Sequence, residues 1–313
     1  MFSFAQLEYA VALDSLGNFQ AAADKCFVTQ PTLSMQIKKL ENDLGIMLFD
    51  RSKKPVRTTE IGISFIKQAR KILSERDHLF DIMDSFQNKI EGTLNLGIIP
   101  SVSPYLLPLF IVEFNEKYPG LTINVHEMLT DQLLDSLKNE TIDVGILVTP
   151  IEDRRVEYEP LYYEEIATYV SEDHPFFKLD KVPHDQLKRN DIWTLKAGHC
   201  FRDQTLNLCG ESNIDLSKRK FSFESSSIET LIKMVDLQGG FTLIPELIIS
   251  NISPEKRNQV KWIEGKSPVR EVSVVTYRNY AKKRLVNLLR NEIKSSLPKF
   301  MLKKSRGNIV EWS

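Results

Sequence analysis

The chain is expected to be α+β overall: a small helical domain closed by a basic hairpin, then one long helix, then a two-lobed α/β domain. Three observations predict this. Helical periodicity with short breaks fills residues 4–44, and a stripe without proline runs from about residue 59 to 89. From residue 92 onward, period-two apolar runs alternate with helical ones. The 313 residues exceed one ordinary core. With 42% hydrophobic and 27% charged residues, the composition is that of a globular protein, not a disordered one. No apolar run reaches the ~18 residues of a membrane-spanning helix. The first residues, MFSFAQLEYAVALDSLGNF, lack a basic leader and carry Glu8 and Asp14 early, so a cytoplasmic location is expected. In such a reducing compartment Cys26, Cys200 and Cys209 do not form a structural disulfide framework, and any bond among them would be transient.

Residues 4–16 form an amphipathic helix ended by Gly17-Asn18. Asn18 caps a second helix, Phe19 to about Cys26, whose Ala21-Ala22-Ala23 run permits close packing. Thr29 caps a third, Gln30 to about Leu44, with Pro31 in its first turn and Gly45 after its end. Two helices joined by a tight turn, the second opening with small polar residues, make a helix-turn-helix pattern. Gln30, Pro31, Thr32, Ser34 and Gln36 would face a DNA major groove, with Lys38 or Lys39 at phosphate, while Leu33, Ile37 and Leu40 face the core. LFDRSKKPVRTT then reads as a wing bearing Arg51, Lys53, Lys54 and Arg57. Net charge is only -1, but residues 25–57 hold seven Lys/Arg against three acids. A generic helical pair with a solvated basic loop is the alternative at this point.

The long helix starting at Thr58 or Thr59 places Ile61, Phe65, Ala69, Ile72, Arg76, Leu79, Met83 and Phe86 on one seam, apolar except at Arg76. A second copy of the helix is the simplest partner, giving a dimer that reads two half-sites. Beyond Glu91-Gly92, TLNLGII, a helix through PYLLPLFIVEFNEKYPG, LTINVHEM, DQLLDSLKNE and DVGILVT make β-α-β-α-β. A second set runs through EEIATYVSE, IWTLKAG, KFSFES, the helix SIETLIKMVDLQ and FTLIP; VREVSVVTYR and AKKRLVNLLRNEIKSSL follow. Two such lobes leave a ligand-sized cleft between them. The basic tail LKKSRGN reads as disordered.

NFQAAADKCFVTQPTLSMQIKKLENDLGIMLFDR resembles the winged helix-turn-helix of LysR-type transcriptional regulators. GTLNLGI resembles that family's entry into its effector domain, and QGGFTLIPE a later signature. PYLLP, HEMLTDQLL and GHCFRDQTLNLC resemble the family's peroxide-sensing OxyR branch, including the spacing of its two cysteines. The resemblance implies a winged helix-turn-helix over 1–58, a linker helix over 59–91, and a periplasmic-binding-protein-like regulatory domain over 92–303. Lobe I is then 92–162 with 269–303, and lobe II is 163–268. It further implies binding of a pseudo-palindromic double-stranded DNA operator, dimers assembling to a homotetramer, hydrogen peroxide as signal, and RNA polymerase and a thiol reductant as partners. No membrane partner, cofactor or metal is expected, since His126, His174 and His184 lack ligand spacing with the cysteines. Two departures stand out: Ser101 where this branch usually has threonine, and Met35 where many relatives have arginine.

The same resemblance implies that Cys200 reacts with peroxide to a sulfenic acid and that Cys209 resolves it to a disulfide. A thiolate is the attacking form. Ser101, Thr130, His199, Arg202, Asp203 and Arg270 would form the pocket, with His199, Arg202 and Arg270 supplying positive charge. If residues 200–209 are helical, the two Cα atoms lie about 13–14 Å apart, so the segment must refold to close a bond needing less than about 7 Å. Cys26 reads as a packed core residue. Three other functions remain: a LysR-type sensor of a small metabolite in the inter-lobe cleft, a thiol peroxidase, and a transport-type binding protein. The last fits poorly with the N-terminal ninety residues.

Overall fold

A computed structural model of the chain describes residues 2–86, 90–151, 153, 155–188, 191–209, 223–277 and 282–311. It divides into an N-terminal unit and a larger regulatory unit that begins at Ile90.

In the N-terminal unit, α1 (Phe4–Leu16) opens with a capping box between Ser3 and Gln6 and closes on Gly17 at φ 59. Asn18 Oδ1 accepts the N–H groups of Gln20 and Ala21, starting α2 (Phe19–Lys25). Thr29 caps α3 (Gln30–Leu44), which ends on Gly45 at φ 68. Leu13, Ala22, Leu33, Ile37 and Leu40 are fully buried together, the small alanines letting α2 lie close to its neighbours. Strands β1 (Phe49–Asp50) and β2 (Arg57–Thr58) pair antiparallel as the short wing.

The long helix is α4 (Glu60–Phe86); its expected end at residue 89 and the Phe86 side chain lie outside the described residues. The seam expected to face a second copy is divided. Ala69 is buried and Phe65 and Ile72 are half-buried against Leu7 of α1. Arg76 donates to Glu8 (2.5 Å) and stacks on Phe4. Ile61, Leu79 and Met83 are exposed. The heptad count overlooked α1, which takes the middle of the stripe.

The regulatory unit is built on one strand path, β4-β3-β5-β11-β6-β10-β7. β3 (Gly92–Ile98), α5 (Ser103–Lys117), β4 (Leu121–Glu127), α6 (Thr130–Lys138) and β5 (Val144–Thr149) form the first parallel set. Gly97 and Gly145 leave room for Leu133; a Cβ on either would meet that side chain or its neighbours. β6 (Val156–Val170) is longer than the segment from Glu164 expected from sequence, because Glu157, Glu159 and Pro160 mask its start. Residues 156–165 pair with β11 (Pro268–Tyr277), and residues 166–170 pair with β9 (Phe241–Pro245), so one strand serves both lobes. The second lobe adds β7 (Lys181–Val182), β8 (Ile192–Trp193), α7 (Cys200–Cys209), α8 (Ile228–Gln238) and β10 (Val260–Ile263) around a core of Tyr169, Phe176, Phe201 and Phe241.

The expected strand IWTLKAG is shorter than read: after Trp193 only Leu195 pairs, as a lone bridge to Ser225, and the chain then turns toward α7. Residues 220–222 of KFSFES lie outside the described residues, as do Arg278 and Ala281. α9 (Lys283–Ser296) follows. The tail expected to be disordered is ordered through Glu311. β12 (Asn308–Ile309) pairs with β11, and Arg306 is held by Glu246 and Glu165. Sequence hydrophilicity pointed the other way because these basic residues meet acids far along the chain.

Candidate redox site and nucleic-acid interface

Three loops converge on Cys200. The turn after β3 supplies Ile99, Pro100 and Ser101, the start of α6 supplies Leu129 and Thr130, and the turn into α7 supplies Gly198 and His199. They line a narrow crevice at the Cys200 side chain. Gly198 adopts φ +90, a left-handed conformation that suits glycine and turns the chain into Cys200. Cys200 is only 4% exposed, and Ser101, Thr130 and His199 are equally enclosed.

Arg270 on β11 lies behind this cleft with no exposed surface. Its Nε donates to Glu164 Oε1 at 2.7 Å, its Nη1 to Ser101 Oγ at 3.1 Å, and its Nη2 to the Ser101 carbonyl at 2.9 Å. Glu164, also fully buried, takes a further bond from the Leu247 N–H. Such a pair is tolerable only because both partners are satisfied. Arg270 also sits over the Phe201 ring at 5.0 Å.

Burial pushes the Cys200 thiol up; the Arg270 charge and hydrogen bonds from Thr130 and Ser101 pull it down, and burial prevails. Among the described residues, the cation that acts on Cys200 is Arg270. Burial, with Lys196 nearby, drives His199 below its ordinary value, so it is neutral, and its buried Nε2 has no hydrogen-bond partner among the described residues. Arg202 does not line the cleft; its side chain is about one-third exposed and lies 3.8 Å from Asp203. The Asp203 charge raises the Cys200 thiol.

Cys209 is buried in the second-lobe core, which lifts its thiol to about 12. α7 runs unbroken from one cysteine to the other, and both are free thiols. Nine helical steps put their Cα atoms about 13–14 Å apart. Glu164, Leu129 and Phe201 were missed in the sequence. Glu164 had a signal: an acid inside the apolar run EEIATYV needs a buried cation.

On α3, Pro31 and Lys38 are exposed, and Gln30, Thr32 and Ser34 are half-buried. The Thr32 and Thr29 hydroxyls pair at 2.8 Å. Gln36 accepts a bond from Gln6 on α1 at 3.1 Å, so its side chain also ties two helices together. In the wing, Lys53 and Arg57 are exposed. Arg51 is exposed as well, and it pairs with buried Glu41 at 2.6 Å and stacks on Phe19. Glu41 accepts the Leu48 and Phe49 N–H groups too, so Arg51 braces the wing's base. Cys26 is half-buried against the domain core, and burial raises its thiol.

Comparison with known proteins agrees with this architecture. Residues 4–63 match the bacterial regulatory helix-turn-helix protein, lysR family, and residues 87–298 match the LysR substrate binding domain. The chain is 37% identical over 262 residues to the hydrogen peroxide-inducible genes activator of Haemophilus influenzae, covering 84% of this chain and 85% of that protein. It is 38% identical over 251 residues to the DNA-binding transcriptional dual regulator OxyR of Escherichia coli K12, covering 80% of each. A solved full-length OxyR variant from Pseudomonas aeruginosa superposes with a TM-score of 0.80 at 28% identity, over 94% of this chain and 98% of that one.

Proposed function

The chain belongs to the LysR family of bacterial helix-turn-helix regulators, and from that premise we propose that it is a transcriptional regulator that senses hydrogen peroxide through Cys200 and Cys209. The relatives named for peroxide response and for OxyR support this reading. The observation that carries it is the placement of Cys200 in an enclosed cleft, between the hydroxyls of Ser101 and Thr130 and in the field of buried Arg270.

The chemistry balances with peroxide as sole oxidant. The Cys200 thiolate attacks one peroxide oxygen; an S–O bond forms, the O–O bond breaks, and hydroxide leaves, taking a proton to become water. Ser101 and Thr130 are placed to hold the peroxide, and the Arg270 charge favours the thiolate and the departing anion. The Cys209 sulfur then displaces hydroxide from Cys200, and its own proton completes the second water. Two thiols and one peroxide give one disulfide and two waters. Closing the gap requires α7 to unwind, and that repacking of the second lobe is the signal passed to a DNA-binding dimer.

The protein reacts once per activation and awaits a thiol reductant, so it is a switch, not a turnover enzyme. Members of its family bind DNA and act as oligomers. A tetramer built from dimers, contact with RNA polymerase and a cytoplasmic location complete the proposal. The test is near-stoichiometric peroxide on reduced protein, followed by alkylation and peptide mapping. A rapid, reducible Cys200–Cys209 bond, with loss of response in Cys200→Ser, is expected. A retained response in Cys200→Ser would refute the thiol mechanism and leave a metabolite in the cleft as the signal.

A further inference from the structure

The C-terminal segment crosses the helix that carries both cysteines. Gln204 Nε2 donates to the Val310 carbonyl and Asn207 Nδ2 to the Glu311 carbonyl, each at 2.8 Å. Gln204 and Asn207 are three residues apart, so they share one face of α7, and both lie between Cys200 and Cys209. Gln204 is fully buried; its Oε1 has no hydrogen-bond partner among the described residues, and its Nε2 is satisfied by the Val310 carbonyl. Val310 packs against the second-lobe core, the cluster to which Cys209 also belongs.

The segment itself is firmly seated. β12 adds to β11, with Asn308 N–H to the Ser267 carbonyl at 2.9 Å and Val310 N–H to the Val269 carbonyl at 2.8 Å. Arg306 makes a two-pronged contact with Glu246 at 2.6 and 3.0 Å, reaches Glu165 at 3.1 Å, and covers the Phe300 ring. Glu246 also accepts the Glu165 N–H, one residue from the Glu164 that holds Arg270. The strap is thus anchored to the strands that build the peroxide cleft. Gly307 permits its close approach: a Cβ there would lie 2.1 Å from the Ser267 carbonyl oxygen and 2.6 Å from Val269.

We propose that residues Arg306–Glu311 form a strap that holds α7 helical and so sets how fast Cys209 closes on oxidised Cys200. The inference rests on the redox reading above and adds a regulatory element to it. To shorten the helical separation to disulfide range, α7 must unwind between its cysteines, and this carries Gln204 and Asn207 off the strap. The strap therefore opposes closure while leaving the first attack on peroxide untouched, since none of its residues lines the cleft.

Two variants lift the strap without altering α7: Gly307→Ala, and a chain ending at Ser305. Hydrogen exchange of the reduced protein should show faster exchange across residues 200–209 in both. After a pulse of peroxide, disulfide formation should be about tenfold faster, the scale set by two lost hydrogen bonds. Sulfenic acid formation, trapped in a Cys209→Ser background, should keep the wild-type rate. Equal exchange and equal closure rates in wild type and variants overturn the strap. A change confined to the sulfenic step also overturns it. A wild-type protein that forms no disulfide refutes the redox reading and, with it, the coupling.

Discussion

Replacing Arg270 by methionine is the sharpest probe of the site, because it separates the stability of the buried pair from the thiol activation proposed for it. Arg270 and Glu164 have no solvent exposure and meet at 2.7 Å. Removing the cation leaves a carboxylate in the interior, held by the Leu247 N–H and beside the buried Tyr162 hydroxyl. Breaking a buried pair in this way costs about 3–5 kcal/mol. Arg270→Met should therefore unfold at lower urea, and adding Glu164→Gln should recover much of the loss. The chemical effect is distinct. An opposite charge close by favours an ionised group by at least about tenfold, so Cys200 should titrate higher still and its thiolate population at pH 7 should drop by about tenfold or more. The assay is the second-order rate of peroxide consumption against pH, with thiolate absorbance followed in parallel and urea curves for each variant. The rate profile of the double variant should move to higher pH even though its stability has returned. A double variant with wild-type pH dependence would refute the assignment of Arg270 as the charge that activates Cys200; an unchanged urea midpoint in Arg270→Met would refute the buried-pair argument.

Three further outcomes are expected. Lys53→Ala in the exposed wing should weaken DNA binding across all sequences and reduce the slope of log affinity against log salt by about one, read by fluorescence anisotropy. Arg51→Ala, which removes the partner of buried Glu41, should instead lower stability by about 1 kcal/mol in thermal unfolding. Burial raises the Glu229 carboxyl, but bonds from Ser227 and Tyr105 outweigh it and hold the group below its ordinary value of 4.5. The folded state then takes up that proton less readily than the unfolded chain, so the stabilisation is full above pH 4.5 and fades as pH falls below it. Tyr105→Phe should make the acid limb of the stability curve shallower, measured by urea midpoints at successive pH values.

Much of this protein was determined by its sequence alone, wherever the deciding interaction spans a few residues. Ser3, Asn18 and Thr29 cap helices whose N–H groups lie two or three positions on, and Gly17 and Gly45 end them, so the boundaries of α1, α2 and α3 were legible. Period-two runs announced β3, β4, β5, β9 and β11 for the same reason. Cys200 and Cys209 were set apart by the residues around them. What only the tertiary structure decided depends on residues that meet from distant parts of the chain. Glu164 and Arg270 are 106 positions apart, and Gln204 and Val310 are 106 apart as well. A local reading took the tail as disordered because the acidic partners of Arg306 lie far along the chain. It took the α4 stripe as free because nothing local says that α1 covers its middle. The protonation of the site was likewise beyond a local reading. Sequence neighbours suggested that His199 and Arg202 carry charge to Cys200, but burial neutralises the first and the fold turns the second aside. Desolvation is a property of the packed interior, and no window of sequence contains it.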